Sequence, residues 1–168
     1  MPALDGLKVV RSPIHGYGVI TLRRFAAGDI IVYGDGVVYS EDDDFDDTYA
    51  LLLHIPDEDS GEPQLLLDLT DQTRWINHAC DPNTEVDVSW DPDTRIATAW
   101  WVALRDIEVG EELTYDYAFS APLAEPCACG SDSCRGIIVD LDEIDQVTGP
   151  NRDLIRPRFR RRLRRRAG

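Results

Sequence analysis

The sequence has 168 residues, which is enough for one domain with a buried core and too few for two ordinary domains joined by a linker. No window approaches the roughly 18 apolar residues of a membrane span, and the N-terminus MPALDGLKVVRSP lacks the apolar core of a secretory signal. An intracellular, cytoplasmic protein without membrane contact is therefore expected, and disulfides are disfavoured in that setting.

The formal net charge of −15 combines two regions of opposite sign. Residues 1–150 hold 8 Lys and Arg against 31 Asp and Glu, a net −23, whereas residues 151–168 hold 9 Arg against Asp153, a net +8. An acidic body repels nucleic acid and attracts cationic partners such as Lys- and Arg-rich peptides. The basic segment has three equally ranked interpretations: it contacts nucleic acid through phosphates, it contacts an acidic body of its own or another chain, or it is a nuclear address.

Short apolar stretches rich in Val, Ile and Tyr predict strands rather than helices, because each is brief and is bounded by Gly, Pro or Asp. In chain order these stretches are LKVV, GVITL, DIIVYG, GVVYS, QLLLDL, TEVDVSW, RIATAWWVAL and EELTYDY. The stretch DDTYALLLHI fits either a helical turn or a strand, whereas EDDDFDD and PDEDSGEP are typical of solvated loops. The predicted fold class is therefore mainly β with short helices.

The chain changes character at residue 150, where PNRDLIRPRFRRRLRRRAG begins. This segment is too charged and too poor in apolar residues to pack, so it is predicted to be a flexible tail, extended or frayed as a helix.

Three of the four cysteines lie within eight residues, in CACGSDSC. Thiolates are the ligands that a tetrahedral structural zinc favours, and such a site needs four of them. Cys80 is the only other cysteine, so a zinc bound by Cys80, Cys127, Cys129 and Cys134 would leave no thiol unpaired. The alternative is a metal-free set of small buried residues.

The segment RWINHACDPN carries two polar side chains, Asn77 and His78, immediately before the turn formed by DPN. An Asn-His pair in a turn is more often structural than functional when considered alone. The order of the motifs changes that interpretation. RWINHACDPN, LRDIEVGEELTYDY and CACGSDSCRGII together resemble the SET-domain protein-lysine methyltransferases, and SPIHGYGVITLRRFAAGDIIVYG is similar to that family's opening segment.

The resemblance covers about Gly6 to Ile138 and implies a fold. It implies a SET fold of short strands in several small sheets, with a pseudoknot-like threading of the C-terminal part and a zinc-pinned post-SET segment. The expected divisions are a SET domain at 6–120, the post-SET zinc segment at 121–140, and an acidic linker with the basic tail at 141–168. No cysteine-rich pre-SET region precedes residue 6. The family's E-Y-x-G-E strand is VYGDG here, which leaves open whether Tyr33 faces the substrate.

The resemblance also implies a cofactor site for S-adenosylmethionine. Its residues would be Gly16, Tyr17 and Gly18 of HGYG, together with Arg74, Asn77 and His78. The glycines would let the backbone approach the cofactor closely, whereas HGYG alone would suggest only a hairpin turn. Asn77 and His78 would hold the adenosine and methionine parts by hydrogen bonds.

Two tyrosines of TYDY match the family's catalytic positions. Tyr117 would orient the lysine amine and the donor methyl group without acting as a strong base, and Tyr115 would limit the number of methyl groups that fit, which predicts a mono- or dimethylated product. Asp116 alternates away from both and is expected to be structural. His15 and His54 have no motif support, and His54 is expected to be half-buried or on the surface.

The function implied is methyl transfer to a lysine of a basic protein such as a histone or histone-like tail, in the nucleus and on chromatin if the source is eukaryotic. A catalytically silent SET-fold module that binds a basic partner is the main alternative. A zinc-bearing nucleic-acid-binding protein fits the Arg-rich tail but conflicts with a body of net −23.

Overall fold

The structure of the chain is a computed structural model, which describes residues 5–54 and 62–159. Within them, the strands are β1 (Leu7–Arg11), β2 (Tyr17–Thr21), β3 (Ile30–Gly34), β4 (Gly36–Ser40), β5 (Ala50–His54), β6 (Leu65–Leu69), β7 (Asn77–His78), β8 (Thr84–Asp91), β9 (Ile96–Ala103), β10 (Thr114–Tyr115), β11 (Glu125–Pro126) and β12 (Ile137–Ile138). One short helix, α1 (Asn151–Leu154), and 3₁₀ turns at Gln72–Trp75 and Ala121–Leu123 complete the described elements. None of the described helices is long and apolar enough to cross a membrane.

The strands form five small sheets. β1 and β2 make an antiparallel hairpin, β3, β9 and β8 form one three-stranded sheet, and β4, β6 and β5 form another. β7 and β10 pair in parallel, and β11 and β12 pair antiparallel. The prediction of a mainly β fold with several small sheets is confirmed.

The structure describes two of the three stretches that were ambiguous or predicted to be loops. DDTYALLLHI contributes the strand β5, because Leu51 and Leu52 pair with the central strand β6. EDDDFDD forms turns and irregular backbone as predicted, whereas most of PDEDSGEP and the side chain of His54 lie outside the described residues.

The larger hydrophobic core lies between the two three-stranded sheets and the hairpin. Trp101 on β9 is fully buried at its centre, and alternate residues of β9 face the core, as expected for a half-buried strand. Gly34 on β3 admits this indole, since a Cβ there would lie 2.9 Å from Trp101 Cζ3. Tyr115 packs against the same core, with its ring centroid 6.0 Å from that of Trp101.

A second, smaller core involves the C-terminal part of the chain. Its buried members are Ala121, Ala124, Ile137, Val139, Ile144, Val147 and Ile155, with Phe159 packed against them. The prediction that the chain does not pack from residue 150 is therefore wrong for the described residues up to 159, because Ile155 and Phe159 are spaced to bury two apolar side chains among the arginines. The remaining arginines, from residue 160 onward, lie outside the described residues.

Two backbone contacts bind this C-terminal stretch to the cysteine-rich segment. The Arg156 N–H donates to the Arg135 carbonyl oxygen at 2.9 Å. Gly136 adopts φ +88, and any Cβ there would collide with the Leu154 carbonyl oxygen. Glycine at 136 therefore lets α1 lie directly on the chain that follows Cys134.

Candidate active site and metal centre

The short parallel pair of β7 and β10 brings two distant motifs together. Asn77 lies opposite Thr114 and His78 lies opposite Tyr115, and the Ala79 N–H continues the pairing by donating to the Tyr115 carbonyl oxygen at 3.1 Å. The polar pair of RWINHAC and the tyrosines of TYDY are thus neighbours, although the paired residues of β7 and β10 are 37 positions apart in the chain.

The side-chain amide of Asn77 is held by its amino end. Asn77 Nδ2 donates to the Tyr17 carbonyl oxygen at 2.7 Å, to Glu112 Oε1 at 2.8 Å and to the His15 carbonyl oxygen at 3.2 Å. Three acceptors around one nitrogen fix the orientation of the amide. The side-chain oxygen of Asn77, Oδ1, is consequently the end of the amide that can accept a hydrogen bond from a ligand.

The HGYG turn has glycines for two different physical reasons. Gly16 adopts φ +48, in the left-handed region, and a Cβ there would meet nothing within 4 Å. Gly18 has an ordinary φ, but a Cβ there would collide with the carboxylate of Glu112. Close approach to a cofactor was the expected reason for both glycines, whereas in the structure Gly18 makes room for Glu112.

An aromatic cluster lies beside this turn. The Trp75 ring is 5.3 Å from the Tyr17 ring and 5.2 Å from the Tyr49 ring, centroid to centroid. The Arg74 guanidinium lies 4.2 Å from the Tyr49 ring, and its buried Nε has no hydrogen-bond partner among the described residues. Arg74 and Tyr17 are thereby brought to one place through Trp75, beside the turn that holds Asn77.

The two tyrosines of TYDY pack against each other and against Phe119. Ring centroids are 4.8 Å apart for Tyr115 and Tyr117, and 5.6 Å apart for Tyr117 and Phe119. The Tyr117 hydroxyl donates to the Ile76 carbonyl oxygen at 3.0 Å. Burial raises the pKa of Tyr117 well above its ordinary value, and the nearby Tyr49 and Glu112 add to the shift. Tyr117 is therefore a protonated hydrogen-bond donor at neutral pH.

Burial also raises the pKa of Tyr115 well above its ordinary value, with a further contribution from Tyr117. Both hydroxyls thus remain protonated at neutral pH. Tyr33, by contrast, is 59% exposed on β3, and no ring contact joins it to this pair within the described part of the chain.

The imidazole of His78 is engaged inside the protein. Its Nδ1 accepts from the Tyr117 N–H at 3.2 Å, and its Nε2 lies 3.3 Å from Cys80 Sγ. Since a backbone N–H can only donate, Nδ1 is unprotonated and Nε2 carries the proton that faces the sulfur. Burial lowers the pKa of His78 to about 4 against the opposing Asp116 carboxylate, so the ring is neutral.

The four cysteine sulfurs converge, as the spacing predicted. All four Sγ atoms lie within 4.8 Å of one another, and Cys80 Sγ is 3.7 Å from Cys127 Sγ. Sulfurs ~2.3 Å from a tetrahedral zinc would be about 3.8 Å apart, whereas a disulfide would require ~2.05 Å. The cysteines are free thiols. The donor set and its spacing therefore fit a zinc ion.

Backbone N–H groups surround these sulfurs. Arg135 N–H donates to Cys80 Sγ and Gly136 N–H to Cys134 Sγ, both at 3.3 Å, and Cys129 N–H donates to Cys127 Sγ at 3.5 Å. Such donors stabilise thiolates that carry the negative charge of a metal site. Burial raises the pKa of Cys80 to about 11, so metal binding would displace a proton from this thiol.

A buried ion pair links the cysteine-rich segment to the tyrosines. The guanidinium of Arg135 is almost fully buried and pairs through both terminal nitrogens with Asp116, each at 2.6 Å. Asp116 Oδ1 also accepts from the Ala118 N–H at 3.1 Å, where Ala118 adopts φ +47. Asp116 lies between Tyr115 and Tyr117 in the chain. Its contacts with Arg135 and Ala118 therefore brace the backbone from which both tyrosine side chains extend.

Sequence reasoning missed three side chains at this site. Tyr49 was part of a stretch of ambiguous structure, and Glu112 and Arg135 were part of quoted motifs without a role. Glu112 follows the Gly110 turn in GEELTYDY, and a carboxylate so near the two tyrosines in the chain was the available signal. Nothing local to Tyr49 or Arg135 indicates their partners, because these partners are distant in the sequence.

Comparison with known proteins identifies the fold and the family. The model of the SET domain matches residues 16–118. Histone-lysine N-methyltransferase ash1 of Drosophila melanogaster is 34% identical over 137 residues, covering 73% of this chain and 6% of that protein. Histone-lysine N-methyltransferase set1 of Dictyostelium discoideum is 32% identical over 144 residues, covering 77% of this chain and 9% of that protein. The chain thus spans less than a tenth of these relatives.

Among solved structures, the crystal structure of KRYPTONITE in complex with mCHH DNA, an H3(1-15) peptide and SAH is similar to this chain. The TM-score is 0.64 at 27% sequence identity, covering 79% of this chain and 29% of that chain. The region matched by the SET-domain model contains Gly16, Tyr17 and Gly18, the Asn77–His78 pair and both tyrosines of TYDY. This chain belongs to the SET-domain family.

Proposed function

We propose that this protein transfers methyl groups from S-adenosylmethionine to a lysine amine of a basic protein, namely a histone or a histone-like tail. It would act in the part of the cell where such proteins are found. The observation that carries the proposal is the pairing of β7 with β10, which sets the oriented Asn77 amide beside the partly buried tyrosines. The relatives named as histone-lysine N-methyltransferases, and the neighbour solved with SAH and an H3 peptide, support the same chemistry.

The residues present fit the cofactor by their donor chemistry. The carbonyl oxygen of Asn77 and the backbone at Gly16 and Tyr17 would hold its polar groups, and Arg74 with the aromatic cluster lies beside them. The imidazole of His78 faces Cys80 and Tyr117, so His78 would contribute through its backbone while its ring positions these two residues. When bound, the cofactor supplies an electrophilic methyl group on a positively charged sulfonium.

The protein must present the lysine as a neutral amine whose lone pair can form the new carbon–nitrogen bond. A free lysine has a pKa of ~10.4, so removing its proton at pH 7 costs about 4–5 kcal/mol unless the site disfavours the ammonium. The packed rings of Tyr115, Tyr117 and Phe119 would do so by surrounding the amine with apolar surface. The Tyr117 hydroxyl, protonated and anchored near Ile76, would orient the amine for in-line transfer.

Tyr115 would limit the product to the mono- or dimethyl state, because its hydroxyl occupies space that a phenylalanine would leave for the growing amine. A structural zinc bound by Cys80, Cys127, Cys129 and Cys134 would hold the post-SET segment, 121–140, against the SET domain, 6–120. The body of net −23 would attract a Lys-rich substrate over a long range.

A second proposal concerns the C-terminal arginines of the segment 141–168. Arg156 and Arg158 are exposed beside the cysteine-rich segment, where Arg158 Nη2 donates to the Cys134 carbonyl oxygen at 3.2 Å. Together with the basic composition of the sequence that follows, these arginines favour contact with phosphates, whereas the acidic body would be repelled by the same polyanion.

The main proposal is tested by incubating the protein with S-adenosylmethionine and histone H3 peptides and measuring added methyl mass. We expect one or two methyl groups with the unmodified protein. Tyr117→Phe should lower kcat about 100-fold, some 2.7 kcal/mol, with cofactor affinity nearly unchanged. Tyr115→Phe should stay active and shift the product towards trimethyl-lysine.

Tyr39→Phe is the matched control, because Tyr39 stacks on Phe45, outside the aromatic pair of TYDY, and should leave kcat unchanged. A protein that binds the cofactor yet methylates no peptide of a broad histone array would instead support the silent binding module. Trimethylation by the unmodified protein would remove the role given to Tyr115.

A further inference from the structure

Glu112 is a charged side chain at the centre of the site that the reaction as described leaves unused. Its carboxylate accepts from Ser12 Oγ at 2.8 Å and 3.0 Å and from Asn77 Nδ2 at 2.8 Å. It also occupies the space that the missing side chain of Gly18 leaves free. The chain therefore makes room for this carboxylate and orients it with neutral donors.

No cation of the described residues neutralises Glu112. The neighbouring acid Glu111 pairs with Arg105 at 2.7 Å, and Asp116 pairs with Arg135 at 2.6 Å. In the described ranges, no Lys, Arg or His nitrogen lies within 4.0 Å of a Glu112 carboxylate oxygen, the limit for an ion pair. The side chain of Glu112 is nevertheless only partly exposed to water. Partly buried carboxylates are ordinarily paired with a positive group, so a ligand is the natural source of one here.

The position of Glu112 agrees with a ligand cation. Its charge reaches the Tyr117 phenol, whose pKa it helps to raise, and its carboxylate contacts the amide of Asn77 directly. Glu112 thus contacts the residue proposed to hold the cofactor, and its charge acts on the residue proposed to orient the amine. A fixed negative charge in this place attracts a positive ligand more than a neutral ligand of the same shape.

We propose that Glu112 is a specificity-determining residue that favours the positively charged methyl donor over its uncharged demethylated product. The donor carries a sulfonium and a net charge of +1, whereas the product, S-adenosylhomocysteine, has a neutral thioether and no net charge. Preference for the charged form would keep the product from occupying the site after each transfer. The inference rests on the proposed cofactor and adds the residue that distinguishes its two forms.

The experiment compares three ligands by calorimetry: S-adenosylmethionine, S-adenosylhomocysteine and sinefungin, whose protonated amine replaces the sulfonium. Glu112→Gln keeps the shape and an acceptor oxygen but removes the charge. We expect affinity for S-adenosylmethionine and sinefungin to fall about three- to tenfold more than affinity for S-adenosylhomocysteine. A purely structural role would weaken all three ligands alike.

Two control variants separate charge from geometry. Ser12→Ala removes the hydroxyl that holds the carboxylate and should leave the ratio of the affinities unchanged. Glu111→Gln removes a neighbouring negative charge that Arg105 already neutralises and should also leave the ratio unchanged. A shift as large in Glu111→Gln as in Glu112→Gln would overturn the assignment, since any acidic group would then suffice.

Thermal melting establishes that Glu112→Gln is folded. If it is not, the affinities of the unmodified protein are measured with rising salt, and screening should lower the preference for the two cationic ligands. A preference that stays flat with salt, or an unchanged ratio in folded Glu112→Gln, would overturn the inference while leaving the proposed function intact. Failure of the unmodified protein to bind any of the three ligands would overturn both.

Discussion

The two hydrophobic cores of the molecule are stabilised in different ways. The larger core is built from long ladders such as β8 with β9, where fully buried Trp101 is at the centre and backbone pairing surrounds it. The smaller core, around Ile137 and Ile155, has two-residue strands and one turn of helix, and it adjoins the four cysteines. We expect regular pairing to make the first core self-sufficient, and we expect the second to depend on a zinc bound by the four cysteines and on the ion pair of Arg135 with Asp116.

This difference matters for the site because each core carries part of it. Asn77 and Tyr115 belong to strands that pack on the larger core. Asp116, by contrast, forms its ion pair with Arg135, which lies in the cysteine-rich segment. Loss of the smaller core should therefore disturb the tyrosines without unfolding the cofactor side.

Zinc removal should have the largest effect, and it should be confined to the smaller core. Structural zinc contributes on the order of 10 kcal/mol to the folding of small domains, far more than the few apolar contacts of this region. We expect a chelator to expose residues 121–159 to protease and to abolish turnover, while β8 and β9 keep slow hydrogen exchange. Equal loss of protection in both cores would show that they are one cooperative unit.

Trp101→Ala should have the next largest effect and should act on the larger core. Replacing a fully buried tryptophan by alanine typically costs about 3–5 kcal/mol, so the midpoint of denaturant unfolding should fall sharply. Circular dichroism in guanidinium chloride measures it, and the zinc content of the remaining folded protein should be unchanged.

Trp100→Ala is the control for this variant, because Trp100 is the next residue on β9, faces the opposite side and is only half-buried. We expect it to cost less than half as much. Similar losses for the two tryptophans would mean that Trp101 is not the centre of the core.

Arg135→Met should have the smallest effect on stability and should break the link between the regions. Removing one partner of a buried pair is costly, but Asp116 is 30% exposed and can be rehydrated, so a loss of about 1–3 kcal/mol is expected. Because the brace on Tyr117 is lost, kcat should fall about tenfold, with zinc content and cofactor affinity retained. Kinetics with metal analysis reports all three quantities.

Arg152→Met serves as the control for that variant, since Arg152 is exposed on α1 and should have no effect on kcat. A normal kcat in Arg135→Met would show that the ion pair stabilises the zinc segment without positioning the tyrosine.

Local patterns were sufficient for much of the fold. The alternation of apolar residues in TEVDVSW and RIATAWWVAL predicted β8 and β9, because a strand with one buried face needs that period. Local pattern failed where apolar residues are isolated among charges, as at Ile155, whose burial depends on a distant partner surface. It also left DDTYALLLHI with two interpretations until the pairing of Leu51 and Leu52 with β6 supplied a strand.

The sequence by itself determined the ordered motifs, the cysteine spacing and the charge division, because each of these is a property of neighbouring residues or of composition. Only the tertiary structure decided that Glu112 accepts a hydrogen bond from Asn77 and that the His78 imidazole faces Cys80. It also decided that Asp116 pairs with Arg135. These contacts join residues that are from two to 35 positions apart in the chain. Their partners are selected by the folding of whole strands against each other, and no local pattern of residue types encodes which side chains that packing brings within hydrogen-bond distance.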